Sequence, residues 1–349
     1  TPFTMDGRHS LRREETKMNS FPEIAMPEDD PGSLPDTAGP RSFCRARMVD
    51  DMDRMPSDAR IAFLGIPFDE GTRYRHGSRF GPCSIRDASI VYSSSSMGFG
   101  GFYDVEVGRV LLADARMVDV GDVQIVPGRS ELSRDSIMVA LGDLLDRGLF
   151  VVSAGGDHSV TFPILRAHAS RRRINIVQFD THLDFTDEVL GARYTHGSSM
   201  RRASELEGVD QITQIGARGL LNSPVSHLSA MAAGNTIVTT QELRRLGADQ
   251  TIRTVPPGDC YVTIDIDVLD PSIAPGTGTP EPGGLSYDEM KALLAALAGR
   301  RDVKIHGFDL TEVNPLLDPN GITALLASRI ILDFLGMILD GEERQAAWP

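Results

Sequence analysis

Short, mostly apolar runs of strand length alternate with helical patterns from about residue 60 onward. The strand candidates are Ile61–Ile66, Phe150–Ser153, Ile174–Phe179, Gln211–Ile215, Thr236–Val238, Tyr261–Ile266 and Val303–Phe308. Runs of this kind, without regular polar alternation, mark strands covered on both faces. Helical spacing runs through Glu131–Arg147, Ser286–Arg300 and Ile322–Leu339. In the second of these, Met290, Leu293, Leu294 and Leu297 fall on one stripe, and Ser286 with Glu289 makes a capping box that starts the helix. The alternation predicts βαβ units and a mainly parallel sheet covered by helices. Ahead of it, residues 1–57 carry Pro22, Pro27, Pro31, Pro35, Pro40 and Pro56 with little periodicity, so an extended arm is expected there and one packed domain over 58–349.

Composition narrows the partners. With 349 residues, 41% of them hydrophobic, the chain can bury a large core, which excludes disorder throughout. Lys plus Arg is 35 and Asp plus Glu is 49, a net charge of 35 − 49 = −14. That sign repels phosphate backbones and anionic lipid, so neither nucleic acid nor membrane is an expected partner, whereas a small cationic substrate is compatible with it. Cys44, Cys83 and Cys260 are too few and too scattered for a disulfide framework. Thr1 to Ser42 has no signal-peptide core, and no apolar run reaches the ~18 to 20 residues of a membrane span. A cytoplasmic, soluble protein is expected.

In a parallel sheet, ligands bind at the carboxyl ends of strands, and here those ends are unusually polar. Phe150–Ser153 is followed by Ala154-Gly155-Gly156-Asp157-His158-Ser159, and Ile174–Phe179 by Asp180-Thr181-His182-Leu183-Asp184. Tyr261–Ile264 runs into Asp265-Ile266-Asp267, and Phe308 into Asp309-Leu310-Thr311-Glu312-Val313-Asn314-Pro315. Residues i, i+2 and i+4 at a strand end point the same way, so Asp180, His182 and Asp184 converge, and Asp265 with Asp267 repeats the device. An isolated Asp-x-His-x-Asp could equally cap the following turn. Four carboxylates and two imidazoles together, however, would repel one another without a cation. Two divalent ions ~3.5 to 4 Å apart would remove that conflict and acidify a shared water. An oxygen-rich set suits Mn²⁺, with Ni²⁺ or Zn²⁺ as alternatives.

Gly155-Gly156-Asp157-His158-Ser159, Asp180-Thr181-His182-Leu183-Asp184, and Thr263-Ile264-Asp265-Ile266-Asp267-Val268-Leu269-Asp270-Pro271 running into Ala274-Pro275-Gly276-Thr277-Gly278-Thr279-Pro280 closely resemble the signatures of the ureohydrolases, the arginase and agmatinase superfamily. Asp69-Glu70-Gly71-Thr72, Gly77-Ser78-Arg79-Phe80-Gly81-Pro82 with Ile85-Arg86, and Glu312-Val313-Asn314-Pro315 extend the resemblance from about residue 60 to about 340. It implies a three-layer α/β/α fold with a mainly parallel sheet, a binuclear site, usually Mn²⁺ with Ni²⁺ as the alternative, and hydrolysis of a guanidino group to urea and an amine. By this resemblance His158, Asp180, Asp184 and Asp265 would hold one ion, and Asp180, His182, Asp265 and Asp267 the other. The family's proton-shuttling histidine falls on His196 and its guanidinium-binding glutamate on Glu312, with Asp184 counted beside them as catalytic. A homo-oligomer, trimer or hexamer, is implied as well, with or without a paralogous subunit.

The chemistry agrees with these roles. A guanidinium carbon is a poor electrophile and needs a strong nucleophile. A carboxylate such as Glu312 can accept a forked N–H pair, and a histidine can protonate the departing amine. The competing reading, a non-catalytic subunit with the same fold, is opposed by the complete ligand set.

After Asp184 the chain reads Phe185 to Gly197 in the manner of the agmatinase branch, so agmatine is the first substrate expected. Thr181 stands in place of the family's usual Ala, His76 in place of Pro, and Ser199-Met200 where Pro-Phe is common. These departures open other small guanidines: dimethylguanidine, a metformin-type biguanide, guanidine itself or a guanidino acid. A cationic tail would call for Asp187 or Glu188, a guanidino acid for Arg75, Arg79 or Arg193, and an alkyl group for an apolar wall at Phe185 or Met200. Asp187 and Met200 thus join Glu312 as candidate substrate-binding residues.

Overall fold

The computed structural model describes residues 41–93, 101–113 and 115–346. Nine of its strands form one sheet: β1 (Arg47–Met48), β2 (Ile61–Ile66), β5 (Met117–Asp122), β6 (Phe150–Gly155), β7 (Ile174–Phe179), β8 (Val209–Ala217), β9 (Thr236–Thr239), β10 (Gly258–Asp265) and β11 (Val303–Thr311). Their order is β1-β5-β2-β6-β11-β10-β7-β8-β9, and every pairing is parallel. A small antiparallel hairpin joins β3 (Phe102–Asp104) to β4 (Arg109–Leu111).

Successive residues of the central strands enter different cores, which is what makes three layers. Ile61 and Phe63 of β2 belong to one core, with Val262 and Ile264 of β10 and Phe308 of β11. Ala62 and Leu64 face the other, with Val151 of β6 and Ile176 of β7. The first core is closed by α1 (Gly81–Ser89), α8 (Tyr287–Ala298) and α9 (Ile322–Ala346), through Ile85, Leu293, Leu294, Ile331 and Phe334. It also takes Leu243 of α6 (Thr240–Leu246) and Ile252 of α7 (Ala248–Ile252). The second is closed by α2 (Ser130–Asp146), α3 (Thr161–Ala169), α4 (Ser199–Ala203) and α5 (Pro224–Ala232), through Ile137, Leu141, Ile164, Ala203 and Ala230. The Ser286 capping box that starts α8 is present as the sequence suggests.

Part of the expected arm is in fact structure. Phe43 is fully buried and its ring stacks on Phe63, centroids 4.3 Å apart, while β1 pairs with β5 and closes that side of the sheet. Among the described residues, packing therefore reaches back to Ser42 and Phe43, well ahead of residue 58, and residues 1–40 lie outside the described residues. Strand β5 escapes the apolar pattern because Asp119 interrupts it. That carboxylate is fully buried, and it accepts from both Nε and Nη2 of Arg86 and from the main-chain N–H of Phe43. Ile266 leaves β10 early, because Oδ1 of Asp265 accepts from the N–H of Asp267 and turns the chain into a short 3₁₀ helix.

Among the described residues one helical segment, Ile322–Gly341, is long and apolar enough to cross a membrane by composition, yet 67% of that window is buried inside the protein. Its apolarity is spent on the first core. All three cysteines are free, Cys44 and Cys260 buried and Cys83 exposed.

Candidate metal centre and active site

Strands β6, β11, β10 and β7 are adjacent in the sheet, so the polar segments that follow them meet at one edge. The approach of His158 depends on a close turn. A Cβ on Gly156 would lie 1.7 Å from the carbonyl oxygen of Phe68, so only glycine fits there. At the end of β7, Oδ2 of Asp180 accepts from Nε2 of Gln178 (2.6 Å) and Oδ1 from the N–H of His182 (2.6 Å). Asp184 takes a left-handed backbone conformation, φ 47°, a costly choice for a residue with a Cβ. The turn lets its carboxylate join Asp180 beside His158.

Nδ1 of His158 lies 3.0 Å from Oδ2 of Asp180, 2.9 Å from Oδ2 of Asp184 and 3.3 Å from Oδ2 of Asp265. Nδ1 of His182 lies 3.1 Å from Oδ2 of Asp267 and 3.6 Å from Oδ1 of Asp180. Two ligand groups result, His158 with Asp180 and Asp265, and Asp180 with His182 and Asp267, and Asp180 belongs to both. In and beside these groups Nδ1 of His158, Oδ2 of Asp184 and Oδ2 of Asp267 are buried with no aligned hydrogen-bond partner. Burial raises the pKa of Asp265 well above the carboxylate range, the charges of Asp267 and Asp180 adding to it. Burial likewise pushes Asp267 up to about 6. Orphaned donor atoms crowded by carboxylates that resist ionising together are the arrangement a pair of divalent cations relieves, and the residues fit such a pair.

Beside this cluster stands Glu312, also left-handed at φ 66°. Its Oε1 accepts from the N–H of His158 (2.9 Å) and lies 3.0 Å from Nδ1 of His196. Burial opposes a charge on His196, but the Glu312 carboxylate prevails and raises its pKa to about 9. The main-chain N–H of His196 donates to the carbonyl of Gly71, fixing the loop (3.2 Å).

A cavity opens onto His158, His182, Asp184, His196 and Asp265. Phe185 forms part of its wall, as expected of an apolar surface. None of the three candidate substrate-binding residues lines it: Glu312 is buried against His158 and His196, and Asp187 and Met200 lie elsewhere. Asp187 is solvent-exposed and held by Arg202, with Arg201 and Arg193 within 4.0 Å. Met200 is fully buried and packs in the second core. Its neighbour Ser199 donates to the carbonyl of His158 (2.7 Å), bracing that backbone. Arg79 is paired with Asp69, Arg193 with Glu205, and Arg75 donates to the carbonyl of Gly278 (2.9 Å). His76 is exposed and Thr181 fully buried. Apart from the candidate ligands and His196, the charged side chain on the wall is Arg73, which the sequence did not single out. It has no ion pair among the described residues.

The sequence profile of the arginase family matches residues 59–336. Guanidinopropionase of Pseudomonas aeruginosa is 34% identical over 325 residues, 91% of this chain and 97% of that protein. Agmatinase of Bacillus subtilis is 34% identical over 279 residues, 80% of this chain and 91% of the relative. The solved structure of proclavaminate amidinohydrolase from Streptomyces clavuligerus superposes with a TM-score of 0.79 at 34% identity, covering 88% of this chain and 100% of that one.

Proposed function

The chain belongs to the arginase family, and on that premise we infer that the site is the catalytic centre of an agmatinase-like ureohydrolase, which hydrolyses a guanidino group to urea and an amine. The observation that carries this reading is the convergence of three carboxylate oxygens on Nδ1 of His158 beside the His196–Glu312 pair. His158, Asp180, Asp184 and Asp265 would hold one ion, and Asp180, His182, Asp265 and Asp267 the other. When bound, divalent ions offset the carboxylate repulsion and lower the pKa of water enough to give a nucleophile near neutral pH.

The chain's own groups do the rest. Glu312 accepts N–H groups of the planar cation and orients the carbon for attack. The same carboxylate holds the proton on His196. As the substrate cation engages Glu312, its charge competes with the imidazolium, which makes His196 a better acid when the amine must leave. Water oxygen bonds to the guanidino carbon, the C–N bond to the amine breaks with its electron pair going to nitrogen, and the departing nitrogen takes the proton from His196; of the two protons that water gives up, one restores His196 and the other leaves on the amine as its ammonium.

Mn²⁺ is the metal favoured by six oxygen- and nitrogen-donor residues with no thiolate, Ni²⁺ the second choice. We place the enzyme in the cytoplasm as a homo-oligomer, trimer or hexamer, acting on a small guanidino compound. Agmatine has a second positive charge, and the wall offers it Arg73 instead of the acidic partner expected at Asp187. This favours a substrate whose remaining part carries no positive charge, either a guanidino acid or a small alkylguanidine. Urea release across agmatine, guanidinobutyrate, guanidinopropionate, arginine, guanidine, dimethylguanidine and metformin, with Mn²⁺ and with Ni²⁺, tests both points. No turnover of any member would leave the non-catalytic subunit as the reading.

A further inference from the structure

Behind the ligands, one buried hydrogen bond has a determinable direction, and that direction decides what His158 can bind. Nε2 of His158 lies 2.9 Å from Oγ1 of Thr263, and that oxygen lies 2.6 Å from Oδ1 of Asp309. The parallel register sets Thr263 of β10 opposite Asp309 of β11, and all three side chains are almost completely buried. Asp309 is surrounded by hydroxyls. Oγ1 of Thr161 donates to Oδ1 (3.2 Å) and the hydroxyl of Tyr261 to Oδ2 (3.0 Å). Burial pushes its pKa up to about 6, with His158 and the hydroxyls opposing, so it remains a carboxylate at neutral pH.

Thr263 has a single hydroxyl proton. Were it given to His158, two acceptor oxygens would face each other at 2.6 Å with no proton between them, a costly contact in a buried site. The proton therefore goes to Asp309. Thr161, 3.3 Å from Thr263, can exchange hydroxyl contacts with it without changing this result. Oγ1 of Thr263 is then free only to accept, and Nε2 of His158 must carry the hydrogen.

We propose that Thr263 and Asp309 are positioning residues that commit Nε2 of His158 to an N–H donor and leave Nδ1, the atom facing Asp180, Asp184 and Asp265, as its only nitrogen open to a metal ion. The proposal rests on reading this cluster as the metal centre. Without the hydroxyl, the ring can place its hydrogen on Nδ1, where three carboxylates would accept it and a proton would occupy the position meant for a cation.

Thr263→Val keeps the shape and removes the hydroxyl, while Thr263→Ser restores it. Chelator competition with Zn²⁺ measures both ions, and ¹⁵N-histidine NMR of the Zn²⁺-loaded protein reads the Nε2 hydrogen of His158. In Thr263→Val one ion should bind about 10- to 100-fold more weakly while the other keeps nearly its wild-type affinity. Thr263→Ser should match wild type in both. The His158 Nε2–H resonance should be protected from exchange in wild type and in Thr263→Ser, and lost to exchange in Thr263→Val. Wild-type affinity for both ions in Thr263→Val, or a wild-type spectrum without that protected hydrogen, would overturn the proposal. If Thr263→Val does not fold, the wild-type spectrum decides alone. Two Zn²⁺ bound as described with no turnover of any guanidine would refute the ureohydrolase reading and leave this one standing.

Discussion

Nδ1 of His196 and Oε1 of Glu312 lie 3.0 Å apart in a part-buried contact, so the proposed proton donor and the proposed cation-binding carboxylate touch each other directly. Removing the charge from one should therefore be felt at the other.

Glu312→Gln keeps the shape of the side chain and discards its charge. We expect kcat/KM to fall about 100-fold or more, corresponding to ~3 kcal/mol for a desolvated charged contact. In the metal-free protein the His196 pKa, raised to about 9 mainly by Glu312 acting against burial, should drop toward the ordinary histidine range. Steady-state kinetics and histidine NMR check the two halves, and unchanged kinetics would be fatal to the assigned role.

His196→Ala should retain two ions per chain while kcat falls by about 10²- to 10⁴-fold, the usual worth of a general acid. KM should change little, since proton delivery acts on the step rather than on capture. Loss of metal in this variant would mean that His196 belongs to the ligand set.

Asp265 and Asp180 are the carboxylates assigned to both ions. Asp265→Ala should accordingly lower metal content more than His158→Ala and abolish activity, as measured by elemental analysis and urea release. Two ions retained in Asp265→Ala would remove the basis for the assignment.

Arg73 faces the cavity without an ion-pair partner among the described residues, whereas Asp187 is engaged by Arg202. Arg73→Glu should reduce turnover of guanidino acids about tenfold or more and improve turnover of agmatine, in line with a contact between charged groups. Replacing Asp187 and Glu188 by Asn and Gln should leave the ranking of substrates unchanged. A reversed outcome of the two experiments would return the specificity to the acidic pair.

His168 gives the fold a pH limit of its own. It is buried against Tyr261, ring centroids 4.7 Å apart, and burial, helped by the nearby His306 and Arg172, lowers its pKa from 6.5 to about 3. The unfolded chain takes up that proton as pH falls through 6.5 and the folded chain does not. Stability is therefore full above 6.5 and declines toward 3, by about 2 kcal/mol at pH 5. His168→Phe, which keeps a ring beside Tyr261, should show a correspondingly smaller loss of urea midpoint between pH 7 and pH 5. An equal loss in both proteins would place the acid sensitivity elsewhere.

The candidate ligands were legible because strand ends with polar residues at i and i+2 leave a strong local signature, and the structure brings His158, Asp180, His182, Asp184, Asp265 and Asp267 together. Thr263 and Asp309 appear in those same segments but had no role there, since their link to His158 depends on the register between two strands and on a buried hydroxyl contact that no single segment displays. Arg73 sits in a loop, and a loop charge acquires meaning only from the surface it faces. Met200 was misplaced because a departure from the family's usual Pro-Phe says nothing about the direction of the side chain: α4 turns it into the second core. Strand β5 and the segment from Phe43 to Met48 were lost for a related reason, since Asp119 looks like a surface residue until Arg86 is found beside it.

The left-handed backbone at Asp184 and Glu312 places two strained positions at the heart of the site. Asparagine adopts that conformation more readily than most residues and carries no charge, so at Asp184 it would ease the empty fold while weakening its grip on metal. Mutational drift that rewards durability alone would erode the site at this point first, and an ancestor or relative that had surrendered turnover could be the sturdier molecule. Persistence of acidic residues at both positions would then record selection for chemistry, maintained against the fold's own preference.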